Sequence, residues 1–177
     1  MSYFDSSAEV QGELEAFLTA FVNSDEGARA AQAAGGSEHG GVLVLRTINP
    51  DSVVSLDVPG RCVTGEAAPG AVVELEFEAD DLHDILLNRL GPVEISQLYE
   101  TDRVGFAGRP EALGAVAVLA GQAQPFYPDS LTQRGRQDLL NTPVRPSGAT
   151  WQVSGPPKEI IGKRRPWQRE KQKAASA

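Results

Sequence analysis

Residues 77–121 read FEADDLHDILLNRLGPVEISQLYETDRVGFAGRPEALGAVAVLAG, and this stretch decides the fold. Its first part repeats leucine and isoleucine at helical spacing along one face. Asp80 and Asp81 are acidic residues of the kind favoured near the positive end of a helix, and Gly91 with Pro92 stops the pattern. These residues predict an amphipathic helix of about three turns.

The second part of the stretch predicts a short helix, a strand and a further helix. Pro92 suits the first position of the short helix, and the polar residues at 100–102 end that helix. Residues 103–107 alternate in polarity and predict a strand. Pro110 opens the last helix, and we expect that helix to end at Gly121.

The residues before this stretch predict helices followed by strands. Ser6 and Glu9 stand in the relation of a capping box, and apolar residues at helical spacing follow them. An alanine-rich segment at 28–34 extends this first helix or forms a second one. Four runs rich in β-branched or alternating residues then predict strands, at 42–48, 53–58, 61–64 and 71–78.

The order of these elements predicts an α+β fold. Its sheet is antiparallel-rich and five-stranded, with helices packed on one face. In the strand at 71–78, Glu74, Glu76 and Glu78 alternate with apolar residues. We therefore expect one face of the sheet to be covered and the other to face water.

Residues 77–121 also resemble the C-terminal half of sterol carrier protein type 2 domains. The resemblance lies in the acid-started apolar helix, the V-x-F-x-G strand at 104–108 and the Pro-Glu helix start after it. Arg103 stands where that family has a lysine, and Arg109 stands where it has an acidic turn residue. The similarity extends over roughly Glu13 to Gly121, so a domain like those of the family is expected at 1–121.

The resemblance implies a tunnel between sheet and helices that takes apolar ligands of the sterol, fatty acid or acyl thioester class. The wall would consist of apolar residues that a filled core would also need. These candidate ligand-binding residues are Leu82, Ile85, Leu86, Leu98, Phe106, Leu113, Val116 and Phe126. The resemblance implies no catalytic residue.

After the last predicted helix the composition changes. Residues 122–157 form a Pro-rich extension with room for one short helix around 130–140. Its apolar residues either close the mouth of the tunnel as a lid or pack on the flank of the domain. They are Phe126, Tyr127, Leu131, Leu139 and Leu140.

Residues 158–177 form a basic tail that we expect to be disordered. The tail has seven basic and two acidic residues, a net charge of +5, whereas the other 157 residues carry nine basic and twenty-two acidic residues. A partner protein is favoured over phosphate-bearing partners, because an acidic body would be repelled by phosphate. The residues expected to dock are Lys163, Arg164, Arg165, Trp167 and Arg169.

The sequence offers little for catalysis, cofactors or metals. No glycine-rich phosphate loop, HExxH or GxSxG motif occurs, so we expect a non-enzyme without a cofactor. Cys62 is the single cysteine, and we interpret it as a buried strand residue. His39 lies in a Gly-rich loop, and His83 is interpreted as a histidine facing solvent rather than a metal ligand.

The first residues of the chain lack the basic start and apolar core of a secretion signal, and no apolar run is long enough to span a bilayer. A cytoplasmic protein is therefore expected. Two functions stay open: a non-catalytic carrier of an apolar small molecule, and an accessory or scaffold subunit that docks on a partner through its Pro-rich, basic C-terminal arm.

Overall fold

A computed structural model describes residues 2–35, 41–101, 103–108 and 112–143. Seven helices lie in these ranges: α1 (Ser7–Val22), α2 (Asp25–Gly35), α3 (Ala79–Leu86), α4 (Pro92–Glu100), α5 (Leu113–Ala123), α6 (Phe126–Gln133) and α7 (Gln137–Leu140). The strands are β1 (Val42–Ile48), β2 (Ser52–Asp57), β3 (Cys62–Thr64), β4 (Val73–Glu78) and β5 (Val104–Gly108).

The five strands form one mixed sheet in the order β3-β2-β1-β4-β5. Neighbouring strands pair antiparallel except for β1 and β4, which run parallel with Leu45 opposite Leu75. Because β2 pairs with one edge of β1, β4 pairs with the other edge, and β1 is the central strand of the five. The antiparallel-rich, five-stranded α+β fold predicted from the sequence is confirmed.

Helix α1 supplies the largest block of the core. Ser6 caps the helix, because its side-chain oxygen accepts a hydrogen bond from the backbone N–H of Glu9 at 3.2 Å. The Glu9 carboxylate in turn accepts from the backbone N–H of Asp5 at 2.7 Å, one residue earlier than in a standard capping box. Phe17 and Phe21 of α1 are buried and pack over the sheet.

Helices α6 and α7 complete this core. Tyr127, Leu131 and Leu139 are each at most 1% exposed and belong to the same apolar cluster as α1. These three side chains of the segment therefore pack on the domain, and its assignment as an extension or a lid stays a prediction. A compact unit spans Met1–Val144.

Two helix ends differ from the prediction. Helix α3 ends at Leu86, before Gly91, and Asn88 adopts a left-handed conformation with φ of 55°. Asparagine tolerates this conformation better than most residues, so it ends the helix in the role expected of glycine. Helix α5 continues past Gly121 to Ala123.

The expectation of a sheet face in water is wrong for β4, because Glu74 and Glu76 are only 5% and 2% exposed. On that face Arg46 lies 3.6 Å from Glu74. The loop that follows β3 crosses the same face, where the Ser55 hydroxyl accepts from the Ala68 N–H at 2.8 Å. The prediction for Cys62 is also wrong, since this residue is exposed on the edge strand β3.

Candidate functional site

A cavity of about 480 Å³ opens between α2, α5 and one end of the sheet. Its volume lies within the range of roughly 300–1,000 Å³ that is usual for small-molecule pockets. Most of its wall consists of alanine, valine and leucine side chains. The described lining residues are Arg29, Ala30, Ala33, Ala34, Gly41, Leu43, Val58, Val72, Val73, Ala115, Val116, Val118, Leu119 and Gln122.

The cavity exists because both helices that border it present small side chains. Helix α2 reads DEGARAAQAAG, so Ala30, Ala33 and Ala34 form its contribution to the wall. Alanine is the best helix former but fills little volume, which keeps α2 helical while leaving space beside it. Helix α5 contributes Ala115 and Val116 in the same way.

Helix α5 is apolar yet largely exposed. Val118 lines the cavity and is 63% exposed, and the alanines at 115, 117 and 120 are exposed as well. An apolar helix with this exposure is unusual in a soluble domain. The α5 side of the cavity therefore exposes mostly apolar side chains.

Two polar side chains reach the cavity among its described lining residues. Arg29 of α2 pairs with Glu26 one turn earlier at 2.7 Å, and the two side chains are 71% and 47% exposed. Gln122 extends from α5 and is also exposed. The polar groups thus lie at the rim, and the interior of the cavity is apolar.

The candidate wall residues named from the sequence are spread over the domain. Val116 lines the cavity. Leu82 and Leu98 are buried elsewhere, while Ile85 and Leu86 pack on the apolar core. Phe106 is half-buried on β5, Leu113 begins α5, and the ring of Phe126 lies edge-on to that of Phe21 with centroids 5.5 Å apart.

Sequence reasoning missed the contribution of α2 to the cavity. The alanine-rich run at 28–34 was the available signal, because a helix face of small side chains leaves space when it packs beside a sheet. Periodicity alone does not reveal this, since alanine counts as an ordinary core residue. Leu43, Val58 and Val72 were likewise visible only as strand residues.

A second polar cluster lies in the core, around His83. This side chain is 1% exposed, so the prediction of a solvent-facing histidine is wrong. Its Nδ1 lies 2.7 Å from the hydroxyl of Tyr127, and its Nε2 lies 3.1 Å from the carbonyl oxygen of Leu139. Because a carbonyl only accepts, Nε2 carries the proton and Tyr127 donates to Nδ1.

Burial keeps both partners neutral. Desolvation lowers the pKa of His83 from 6.5 to about 4, and it raises the pKa of Tyr127 above its usual value. Arg89 extends the cluster by donating to Thr142 at 2.6 Å and to the Leu140 carbonyl at 2.8 Å. These bonds join α3 to the segment around α7.

The His83 cluster is closed to solvent, and its bonds hold the end of the domain to α3. In the part of the chain that the structure describes, no group of His, Cys, Asp and Glu residues is arranged to hold a metal ion. Within the same part, no helix has the length and apolarity needed to cross a membrane. The predicted docking residues of the tail, Lys163, Arg164, Arg165, Trp167 and Arg169, and the loop residue His39 lie outside the described residues.

Comparison with known proteins finds resemblance in structure only. No family model matches the sequence, and no curated protein matches it. The structure is similar to apo sterol carrier protein 2 from Yarrowia lipolytica, at 14% identity and a TM-score of 0.48 over 67% of this chain and 91% of that one. The likeness is one of fold.

Two further solved structures give the same result. Sterol carrier protein domain 2 of Helicoverpa armigera matches at 16% identity and a TM-score of 0.48, over 66% of this chain and 87% of that chain. A structure described as a UbiJ-SCP2 ubiquinone synthesis protein matches at 19% identity and a TM-score of 0.46, over 66% of this chain and 96% of that chain. These domains belong to the group that residues 77–121 resemble in sequence pattern.

Proposed function

We propose that the protein is a non-catalytic binder or carrier of an apolar small molecule, held in the cavity between α2 and α5. The observation that carries this proposal is the cavity itself, which combines a volume of about 480 Å³ with a wall of alanine, valine and leucine. Ligand pockets are typically apolar with a few polar groups at set places, and Arg29 and Gln122 fill that second role.

Burial of apolar surface would drive binding. Each square ångström of apolar surface removed from water contributes about 25 cal/mol. The rim formed by Val118 also offers a route of entry that does not require the tightly packed side of the core to open. A carrier must both take up and release its ligand, and an exposed apolar helix beside the cavity suits that requirement.

A binding role also fits the arrangement of titratable groups. Among the described residues, the clearest perturbed pair, His83 and Tyr127, is buried in the core on elements that do not line the cavity. A catalytic group would need to reach the bound molecule. The described lining residues include no carboxylate, imidazole, phenol or thiol, and this composition supports a binding role.

The proposal is tested by blocking the cavity with a large side chain. Ala115 and Ala117 are neighbouring exposed alanines of α5, but Ala115 lines the cavity and Ala117 does not. The substitutions Ala115→Trp and Ala117→Trp therefore form a matched pair. The neutral probe N-phenyl-1-naphthylamine, whose fluorescence rises in apolar surroundings, reports occupancy by titration.

We expect Ala115→Trp to weaken probe binding at least tenfold and Ala117→Trp to leave it unchanged. Equal affinity of both variants and the native protein would place the probe somewhere else and contradict the proposal. Circular dichroism of the two variants shows whether each retains the fold, so that a loss of binding is not confused with unfolding.

A further inference from the structure

We propose that residues 137–143 form a strap that detaches from α3 as a unit when the ring of His83 takes up a second proton. The strap consists of α7 and the three residues that follow it, up to Pro143. It is a conformational device that lies apart from the cavity, so the inference does not depend on the proposed function. Its release leaves the rest of the domain folded.

Two side chains on and after α3 hold the strap. His83 donates from Nε2 to the carbonyl oxygen of Leu139 at 3.1 Å, and the same nitrogen lies 3.2 Å from Oγ1 of Thr142. Arg89, which follows α3, donates to Oγ1 of Thr142 at 2.6 Å and to the carbonyl oxygen of Leu140 at 2.8 Å. An arginine stays protonated, so His83 is the one of the two whose charge changes in mild acid.

The chain just before the strap is fixed by other contacts. Arg136 donates to the carboxylate of Glu13 at 2.7 Å, and Glu13 belongs to α1 and is 3% exposed. These contacts do not involve α3. Within α7, Leu139 is the buried side chain. The strap can therefore pivot after Arg136, at the loss of one buried leucine and the polar contacts to α3, while α1 and α6 stay packed.

The closed strap matches a neutral imidazole. Nε2 of His83 carries the proton, and Nδ1 accepts from the Tyr127 hydroxyl at 2.7 Å. A second proton on Nδ1 sets two donors face to face unless the hydroxyl turns, and after that turn the hydroxyl proton has lost its acceptor. The same proton also places a positive charge on a residue that is 1% exposed. The protonated ring is therefore more stable in water than in the closed site.

The charged groups near His83 do not reverse this preference. Asp80 and Asp84 favour a cation on the ring, whereas Arg89 opposes it. Both carboxylates already have partners, because Asp84 pairs with Arg89 at 3.3 Å and Asp80 accepts from the backbone N–H of Tyr3 at 2.9 Å. Desolvation outweighs them and lowers the pKa of His83 to about 4.

The other elements present uncharged groups to the imidazole. The N-terminal segment contributes the rings of Tyr3 and Phe4, whose centroids lie 5.1 and 5.4 Å from that of the imidazole. Helix α6 contributes Tyr127, whose pKa burial raises, so its hydroxyl stays neutral. Glu13 and Arg136 act on that hydroxyl with opposite signs. The strap itself contributes a carbonyl and a hydroxyl oxygen.

The sign of the pH effect follows from the two states of the strap. In the open state His83 meets water and has its ordinary pKa of 6.5, whereas in the closed state its pKa is about 4. The open state therefore binds more protons as the pH falls below 6.5. Between pH 7.5 and 5.5 the population of the open state should rise about tenfold.

Hydrogen exchange of the native protein at pH 7.5 and 5.5 tests the proposal, with protection factors that correct for the intrinsic effect of pH on exchange. The backbone N–H groups of Leu140 and Asn141, which donate to carbonyls one turn earlier, report on the strap, and those of β1 report on the core. Low urea concentrations separate the two. Local opening exposes little surface and responds weakly to urea, whereas global unfolding responds strongly.

We expect the strap amides to be less protected than those of β1, to respond weakly to urea and to lose protection about tenfold at pH 5.5. His83→Gln should remove the pH response, because an amide offers a donor and an acceptor without titrating. Thr142→Val is the matched control. It removes an acceptor of Arg89 but no titrating group, so it should lower protection equally at both pH values and keep the tenfold response.

Strap amides that share the urea dependence of β1 would show that the segment leaves only when the whole domain unfolds, and this result would overturn the proposal. The same tenfold response in folded His83→Gln would also overturn it. Should that variant fail to fold, NMR titration of the His83 ring in the native protein takes its place. We expect a midpoint well below 6.5, and a midpoint at 6.5 would contradict the strap mechanism.

Discussion

The two halves of the helical layer use the same sheet face in opposite ways. Under α1 and α6, aromatic and leucine side chains fill the space, with Phe17 and Tyr127 in edge-to-face contact at 5.3 Å between ring centroids. Beside α2 and α5, alanine and valine leave a cavity of about 480 Å³. The difference shows that side-chain volume, rather than apolarity, separates a filled core from a cavity.

This comparison predicts that stability depends on the α1 side and ligand binding on the α2–α5 side. A polar network stabilises the α1 side. Glu13 of α1 is 3% exposed and accepts from Arg136 at 2.7 Å and from Arg134 at 3.1 Å. These pairs hold α1 to the segment between α6 and α7, whereas α5 has glycine at 114 and 121 and an exposed surface.

The largest expected effect is the loss of a core aromatic. Phe21→Ala should lower the free energy of unfolding by about 3–5 kcal/mol, because Phe21 is fully buried and contacts Phe126. Val118→Ala on the cavity side should change it by less than about 0.5 kcal/mol. Urea denaturation of both variants measures the difference, and equal losses would contradict the division of roles.

The next effect concerns pH. His83 has a pKa of about 4 in the folded protein and 6.5 in the unfolded chain, so the unfolded state binds more protons as the pH falls below 6.5. The stabilisation by neutral His83 is complete above pH 6.5 and is lost between pH 6.5 and 4. The loss should reach about 3 kcal/mol.

The matched control for this pH effect is His83→Gln, which does not titrate in that range. Denaturation of both proteins at several pH values isolates the contribution of His83 from that of other groups. The difference in stability between them should shrink as the pH falls. Parallel pH profiles would mean that His83 is not held neutral in the folded state.

A smaller effect is expected at the edge of the sheet. Gly108 has φ of 132°, and an added Cβ would lie 2.3 Å from the backbone oxygen of Val72. Gly108→Ala should therefore destabilise the protein by more than about 1 kcal/mol. Thermal unfolding gives the measurement, and an unchanged midpoint would show that the strand end relaxes without cost.

The smallest effect should have the opposite sign. Gly121 lies inside α5, and an added Cβ would have no neighbour within 4 Å. Gly121→Ala should therefore stabilise the protein by about 0.5–1 kcal/mol, because alanine favours the helix and restricts the unfolded chain. A loss of stability in the same thermal assay would show that α5 packs more closely than the structure indicates.

Local patterns predicted much of the fold. Val73, Leu75 and Phe77 alternate in β4, Ser6 and Glu9 mark the start of α1, and Pro92 begins α4 where expected. These features depend on neighbours in the chain, so a single sequence reveals them. The parallel pairing of β1 with β4 joins residues that are far apart in the chain, so local sequence patterns did not predict it.

The candidate site was harder to predict for a physical reason. The local pattern places His83 on α3. Its burial depends on a hydrogen bond with Tyr127, which lies 44 residues away and which the local pattern does not reveal. Glu74 is a similar case. Its alternation with apolar residues shows that it lies on the opposite sheet face from them, but it does not show what covers that face. A cavity is the space left after all side chains pack, and periodicity does not report it.

The central claim is that the α2–α5 cavity holds an apolar ligand, and native mass spectrometry of protein purified from its own host tests it most directly. The native protein and Ala117→Trp should each carry an extra mass of one small molecule, released into organic solvent on denaturation, and Ala115→Trp should not. A ligand-free mass for the native protein, or the same bound molecule in folded Ala115→Trp, would contradict the claim.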